Sequence, residues 1–140
     1  MPGTDVALPS AMKRLLLVDD EENVLIGMRR YFRLAGFHVD CARDQEEAEE
    51  FLSRGSYDAA IVDLCLWPGR DSSGLDVIGG VRERCRGTRI LVLTASGSPE
   101  SQAEAHRRGA DLCLQKPRPL EEIHRELRTL LDEGAGEPPS

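Results

Sequence analysis

Three observations predict an α/β fold of the doubly wound kind. Strand-like and helix-like segments alternate five times between short polar ends. The strand-like segments are continuous aliphatic runs, as a strand buried on both faces requires. The intervening segments carry apolar residues at helical spacing, and parallel strands joined by right-handed helical crossovers form a sheet covered on both sides. The expected architecture is a (βα)5 three-layer sandwich.

Each element has its own signal in the sequence. Leu15 to Val18 is the first strand and ends in Asp19-Asp20. Val24, Leu25, Met28, Phe32 and Ala35 form the inner stripe of a first helix, with Gly36 at the position of a C-terminal cap. Phe37 to Cys41 is a short second strand. Asp44 and Glu47 fit a capping box, in which Asp44 accepts from the helix start and Glu47 reaches back; Ala48, Phe51 and Leu52 face inward on the helix that follows. Ala59 to Leu64 is a third strand containing Asp63. Ser73 is placed to cap a third helix with Leu75, Ile78, Val81 and Cys85 inside. Ile90 to Leu93 is the fourth strand and ends at Thr94. Ser98-Pro99 supplies a cap and a first-turn proline for a fourth helix, which has only Ala103 and Ala105 to bury. Leu112 to Leu114 is the fifth strand. Pro119 opens a last helix with Leu120, Ile123, Leu127 and Leu130 on one face.

The expected boundaries are a tail over 1–12, one domain over 13–132 and a second tail, or a linker to an effector domain, over 133–140. The 140 residues are enough for a sizeable core without disulfides. With 18 basic and 25 acidic residues, a net charge of −7 and a pI near 5.0, the chain lacks the basic surface that phosphate-backbone contacts demand, so direct nucleic-acid binding is not expected. No apolar run is long enough to span a bilayer, and no signal-peptide core is present, so a membrane role is not expected and the cytoplasm is the expected compartment. Cys41, Cys65, Cys85 and Cys113 lie 24, 20 and 28 residues apart, too far for a zinc knuckle, and read as packed reduced thiols. His38, His106 and His124 are scattered singly and are assigned to surfaces.

The chemistry is expected where open α/β sheets bind ligands, outside the carboxyl ends of their strands. Asp19, Asp20, Asp63, Thr94 and Lys116 all fall there. Two carboxylates about 4 Å apart repel by roughly 4 kcal/mol at an effective dielectric near 20, so three need a cation. Mg2+ suits an oxygen-only ligand set completed by water and phosphate. Lys116 and Thr94 offer a positive charge and a hydroxyl donor to a tetrahedral anion. Asp63, on the central strand, is placed to attack phosphorus and form an acyl phosphate.

Four segments carry a family resemblance: Leu-Leu-Leu-Val-Asp19-Asp20-Glu-Glu, Ile-Val-Asp63-Leu, Leu-Val-Leu-Thr94-Ala95 and Gly109-Ala110-Asp-Leu-Cys-Leu-Gln-Lys116-Pro117. In this order they resemble the receiver domain of two-component response regulators, over roughly Lys13 to Leu131. The resemblance implies a flavodoxin-like fold with strand order 2-1-3-4-5 and a phosphorylation-controlled signalling switch rather than an enzyme acting on other substrates. It implies Asp63 as phosphoacceptor, Asp20 as direct Mg2+ ligand, Asp19 as a ligand through water, and the backbone carbonyl of Cys65 as a further ligand. Thr94 and Lys116 would contact the phosphoryl oxygens, and the Lys116–Pro117 bond would be cis. The implied partners are a histidine kinase or phosphotransfer protein upstream, and a downstream protein or effector domain reached through the fourth helix, fifth strand and fifth helix.

Two departures from the family pattern stand out. The loop from Trp67 to Ser73 is longer than usual, with Pro68 five and Gly74 eleven residues after Asp63. Cys113 stands where relatives usually carry an aromatic ring, which predicts a switch that does not rely on ring movement. Competing readings are an aspartyl-nucleophile phosphatase, disfavoured because Cys65 replaces the second aspartate, and a receiver-shaped interaction module that is never phosphorylated, disfavoured by the complete residue set.

Overall fold

The computed structural model describes residues 12–64, 71–95 and 99–136, with backbone only at 71–73 and 133–136. Five parallel strands, β1 (Arg14–Val18), β2 (His38–Ala42), β3 (Ala59–Leu64), β4 (Arg89–Thr94) and β5 (Leu112–Gln115), form one sheet in the order β2-β1-β3-β4-β5. The helices are α1 (Glu22–Leu34), α2 (Gln45–Arg54), α3 (Asp71–Arg84), α4 (Pro99–Arg108) and α5 (Leu120–Gly136). Chain order and spatial order reverse between β1 and β3, so the strand ends on either side of that point diverge and leave a crevice.

The period of two along each strand divides the core into two aliphatic clusters. Leu15 and Leu17 join Leu25, Met28 and Phe32 of α1 and Ile123, Leu127 and Leu130 of α5. Leu16 and Val18 face the other way, toward Ala48 and Leu52 of α2, Val77, Ile78 and Val81 of α3, and Ala105 of α4. Thus α1 and α5 cover one face and α2, α3 and α4 the other. Residues in the middle of β1, β3 and β4 are essentially inaccessible, which accounts for their uninterrupted aliphatic character.

Several local expectations need correction. β2 is His38–Ala42, one residue later than its apolar residues suggest. Asp44 does cap α2, accepting from the Glu47 amide at 2.9 Å, but Glu47 reaches back to the Arg43 amide (2.8 Å) rather than to Asp44. α3 begins at Asp71, so Ser73 lies inside its first turn instead of capping it, and Val77 joins the buried stripe while Cys85 falls beyond the helix end. Ala103 is exposed; Ala105 alone is buried on α4. α5 continues to Gly136, past the expected end at 132. The Ser98 cap and the loop Trp67 to Arg70 lie outside the described residues, as do 1–11 and 137–140.

His38 and His106 are on the surface, but His124 is not simply a surface residue. Its ring meets Tyr31, Phe32 and Phe37 edge-on at centroid distances of 5.6, 5.6 and 5.9 Å, joining α5 to α1 and to the residue that precedes β2. Its Nε2 is buried without a hydrogen-bond partner among the described residues. Burial, reinforced by Arg128, lowers its pKa below the usual histidine value.

Candidate functional site

The strand ends bring together five of the residues singled out in the sequence. Asp19 follows β1 directly, and its amide donates to the Ala42 carbonyl at 3.1 Å, extending the ladder to β2 by one bond. This holds the Asp19 carboxylate inward, 5% exposed, where Oδ1 accepts from the Glu21 amide at 2.9 Å. Asp20 is exposed beside it. Asp63 is the penultimate residue of β3. One carboxylate oxygen from each of Asp19, Asp20 and Asp63 lies within 4.8 Å of the others.

On the opposite side, Thr94 ends β4 in register with Leu64 of β3 and Gln115 of β5. Its side chain is buried, and Oγ1 has no hydrogen-bond partner among the described residues. The Lys116 amide donates to the Thr94 carbonyl at 2.8 Å, so the lysine leaves the sheet beside the threonine. Its Nζ then reaches Asp63 Oδ1 at 2.6 Å and Asp19 Oδ2 at 4.0 Å. The Lys116–Asp63 contact is a close ion pair of opposite charges. The Lys116–Pro117 bond is cis.

The electrostatics follow from that packing. Burial raises the Asp19 pKa to about 6, with Asp63 and Asp20 adding repulsion against the relief from the Glu21 amide and Lys116. Burial also raises Asp63, and Lys116 only partly offsets it. Burial opposes the charge on Lys116, but its carboxylate neighbours, Asp63 first, outweigh that and raise its pKa. The site therefore holds more negative charge than one ammonium can neutralise, plus a buried hydroxyl without a partner among the described residues. Its donors to a cation are all carboxylate oxygens, which fits a hard divalent ion such as Mg2+ or Ca2+. Thr94 and Lys116 fit an anion with several acceptor oxygens.

Comparison with known proteins decides the family. The model of the response regulator receiver domain matches residues 15–128. This chain belongs to that family. The receiver is 35% identical over 124 residues to the transcriptional regulatory protein TctD of Salmonella typhimurium, covering 89% of the chain and 54% of TctD. It is 38% identical over 125 residues to the two-component response regulator PhoP of Pseudomonas aeruginosa, covering 88% of the chain and 53% of PhoP. The chain thus spans about half the length of the curated relatives it matches.

Among solved structures, a receiver protein from Methanospirillum hungatei superposes with a TM-score of 0.83 at 22% identity, covering 91% of this chain and 99% of that one, which shows the shared fold. A response regulator from Burkholderia pseudomallei, solved with a phosphorylated aspartic acid, calcium ion and citrate, matches at 31% identity and TM-score 0.76, covering 89% of this chain and 72% of that one. TrrA from Thermotoga maritima, in complex with Mg2+ and BeF, matches at 32% identity and TM-score 0.72, covering 85% and 99%. The strand order 2-1-3-4-5 implied by the motif resemblance is the order observed. Among the described residues no helix is long and apolar enough to cross a membrane.

Of the residues singled out in the sequence, Asp19, Asp20, Asp63, Thr94 and Lys116 are brought together; Cys65 and Trp67 lie outside the described residues. Cys113 is half-buried against the cluster formed with α2, α3 and α4, and burial raises its thiol pKa, which suits a packed small hydrophobe better than a reactive thiolate. Two contributors have no motif of their own. The Glu21 amide acts through its backbone, so its side chain gives no signal. Gly74 leaves no room for a Cβ against the end of β3; the sequence marked it only as a displaced glycine of the loop after Asp63.

Proposed function

We propose that this receiver accepts a phosphoryl group from a histidine kinase or phosphotransfer protein onto Asp63, with Mg2+ held by Asp19, Asp20, Asp63 and the Cys65 backbone carbonyl. The observation that carries this reading is one half-buried carboxylate, Asp63, placed between the buried Asp19 and the exposed Asp20, with Lys116 Nζ at 2.6 Å and, on a neighbouring strand end, a Thr94 hydroxyl that has no partner among the described residues. The proposed domain is 13–132, and the continuation of α5 to Gly136 supports a C-terminal boundary a little later than 132.

Asp63 has the role of nucleophile. Its oxygen bonds to phosphorus while the phosphorus–nitrogen bond to the donor histidine breaks; the imidazole keeps the electron pair and takes a proton from water. Lys116 gives up part of its pairing with Asp63, whose charge is lost in the acyl phosphate, and turns to a phosphoryl oxygen. Thr94 gains the acceptor that its buried hydroxyl lacks. When bound, Mg2+ supplies the charge neutralisation that lets the carboxylates and the phosphoryl oxygens coexist.

Beyond its own phosphorylation and dephosphorylation the domain has no reaction to catalyse. Output passes through protein contacts, either with a separate downstream protein or with an effector domain of a longer chain, in the cytoplasm. The net charge of −7 supports the reading that this domain does not itself bind nucleic acid. Incubation with a small phosphodonor and Mg2+, followed by mapping of the modified residue by mass, tests the proposal. One phosphoryl group on Asp63 is expected, absent in Asp63→Asn and in chelator. Label at another residue, or equal labelling in chelator, overturns it.

A further inference from the structure

Gly74 is the fourth residue of α3, and it lies against the end of β3 at the residue that carries the reaction proposed above. A Cβ added there would stand 2.7 Å from Leu64 Cδ2, 3.3 Å from the Asp63 carbonyl oxygen and 3.6 Å from Leu64 Cα. The first distance is shorter than carbon atoms tolerate, and the second requires the Asp63–Leu64 peptide to shift by a few tenths of an ångström. Leu64 is 2% exposed and packed against the cluster that includes Val77 and Ile78, so it has little room to give way. By contrast, a Cβ at Gly79 or Gly80 of the same helix would meet nothing within 4 Å. Position 74 is therefore where α3 needs a glycine for close approach rather than for a turn.

The peptide under Gly74 is connected to both halves of the site. It follows the Asp63 side chain directly, and Leu64 stands in register with Thr94 across the β3–β4 ladder. Asp19 and Asp20 lie beyond the end of the β1–β3 pairing, which stops at Val18 and Val62. Pressure at position 74 thus bears on the nucleophile and the hydroxyl, and much less on the other two carboxylates.

We propose that Gly74 is a positioning residue for phosphoryl transfer: by letting the first turn of α3 rest on the Asp63–Leu64 peptide, it sets the Asp63 carboxylate and Thr94 in the alignment that attack on phosphorus requires. This rests on Asp63 being the phosphoacceptor. A merely structural role would be relieved by making space at Leu64, because the tightest contact is with its side chain. The positioning role would persist, because the contact with the Asp63 carbonyl remains.

The test compares four 140-residue chains: wild type, Gly74→Ala, Leu64→Ala and the double variant. The readouts are the rate of phosphoryl uptake from a small phosphodonor at saturating Mg2+, the Mg2+ affinity, and the melting temperature. Displacements of a few tenths of an ångström at a reacting group are expected to slow uptake by about three- to tenfold. In the double variant uptake should be slower than in Leu64→Ala by that factor, with Mg2+ affinity changed less than about twofold and with melting no lower. This comparison holds even if Gly74→Ala alone does not fold. Equal rates in Leu64→Ala and the double variant, or a rate that recovers together with stability, would overturn the inference while leaving Asp63 as acceptor. A wild-type chain that takes up no phosphoryl group at Asp63 would overturn both.

Discussion

Replacing Asp19 by Asn should stabilise the metal-free protein. Asp19 is 5% exposed, and burial with help from Asp63 and Asp20 raises its pKa from 3.8 to about 6. A difference of that size between folded and unfolded chains corresponds to about 3 kcal/mol, at about 1.36 kcal/mol per unit, lost from folding stability once the group is ionised in both states. Between the two pKa values the folded protein holds the proton more tightly than the unfolded chain, so stability falls as pH rises through that window and stays low above it. Asn keeps the shape and an oxygen that accepts the Glu21 amide, while Lys116 retains its 2.6 Å contact with Asp63. That raised pKa already includes the opposing attraction of Lys116, 4.0 Å away; the amide NH2 that Asn brings into this buried position needs a partner of its own, leaving about 1–3 kcal/mol. For a domain of this size that raises the melting temperature by roughly 3–10 °C. The assay is thermal unfolding of both chains in chelator near pH 7.5 and again near pH 4. The gap should be large at the higher pH and nearly closed at the lower. Saturating Mg2+ should then stabilise the wild type more than the variant, because binding to the folded state alone adds to its stability. An Asp19→Asn chain that is less stable than wild type in chelator at pH 7.5, or a gap independent of pH, would refute the reasoning.

Three further outcomes are expected. His124, whose pKa is lowered by burial and whose Nε2 has no partner, should destabilise the fold as pH falls below its unfolded value of about 6.5, because the unfolded chain then takes the proton more readily; His124→Phe, unfolded in urea at pH 7.5 and 5.5, should lose less stability than wild type across that interval. Asp111 accepts from the buried Ile90 amide at 2.8 Å and from Arg82 and Arg89 at 3.2 and 3.5 Å, so Asp111→Ala should cost about 1–3 kcal/mol in denaturant unfolding and Asp111→Asn clearly less. α4 buries only Ala105, and its amides should exchange with deuterium fastest among the helices; protection equal to that of α1, which buries Leu25, Met28 and Phe32, would contradict this.

Most of the sheet was legible because its strands are buried on both faces, and burial of that kind leaves an aliphatic run that little else produces. The strand-end residues were legible for a related reason. An aspartate directly after Leu15 to Val18, or within Ala59 to Leu64, interrupts an apolar segment at a point that topology makes a crevice. α4 was read less well. With only alanines to mark its phase, neither Ala103 nor Ala105 could be preferred, and the packing against α3 selects one. The contacts of Asp58 with the Arg14 amide at 2.8 Å and of Asp111 with the Ile90 amide at 2.8 Å join residues 44 and 21 positions apart, and nothing local announces them. His124 escaped for the same reason: its neighbours Tyr31, Phe32 and Phe37 belong to α1 and the approach to β2, and only the folded chain assembles them around the ring.

The same features that make the site costly make it responsive. Two dense aliphatic clusters hold the ends of β1, β3 and β4 in place, and at those ends the chain keeps Asp19 and Asp63 where burial disfavours their charge and Thr94 where its hydroxyl has no partner among the described residues. A ligand has leverage over a conformational equilibrium only through interactions that differ between its states. A cation or a phosphoryl group that relieves a penalty of about 3 kcal/mol at Asp19 alone could change such an equilibrium by about two orders of magnitude, if the relief is confined to one state. An isosteric, uncharged site, as in Asp19→Asn, would be more stable and would respond less, so gain in metal-free stability and loss of response to Mg2+ should appear together in the same variant.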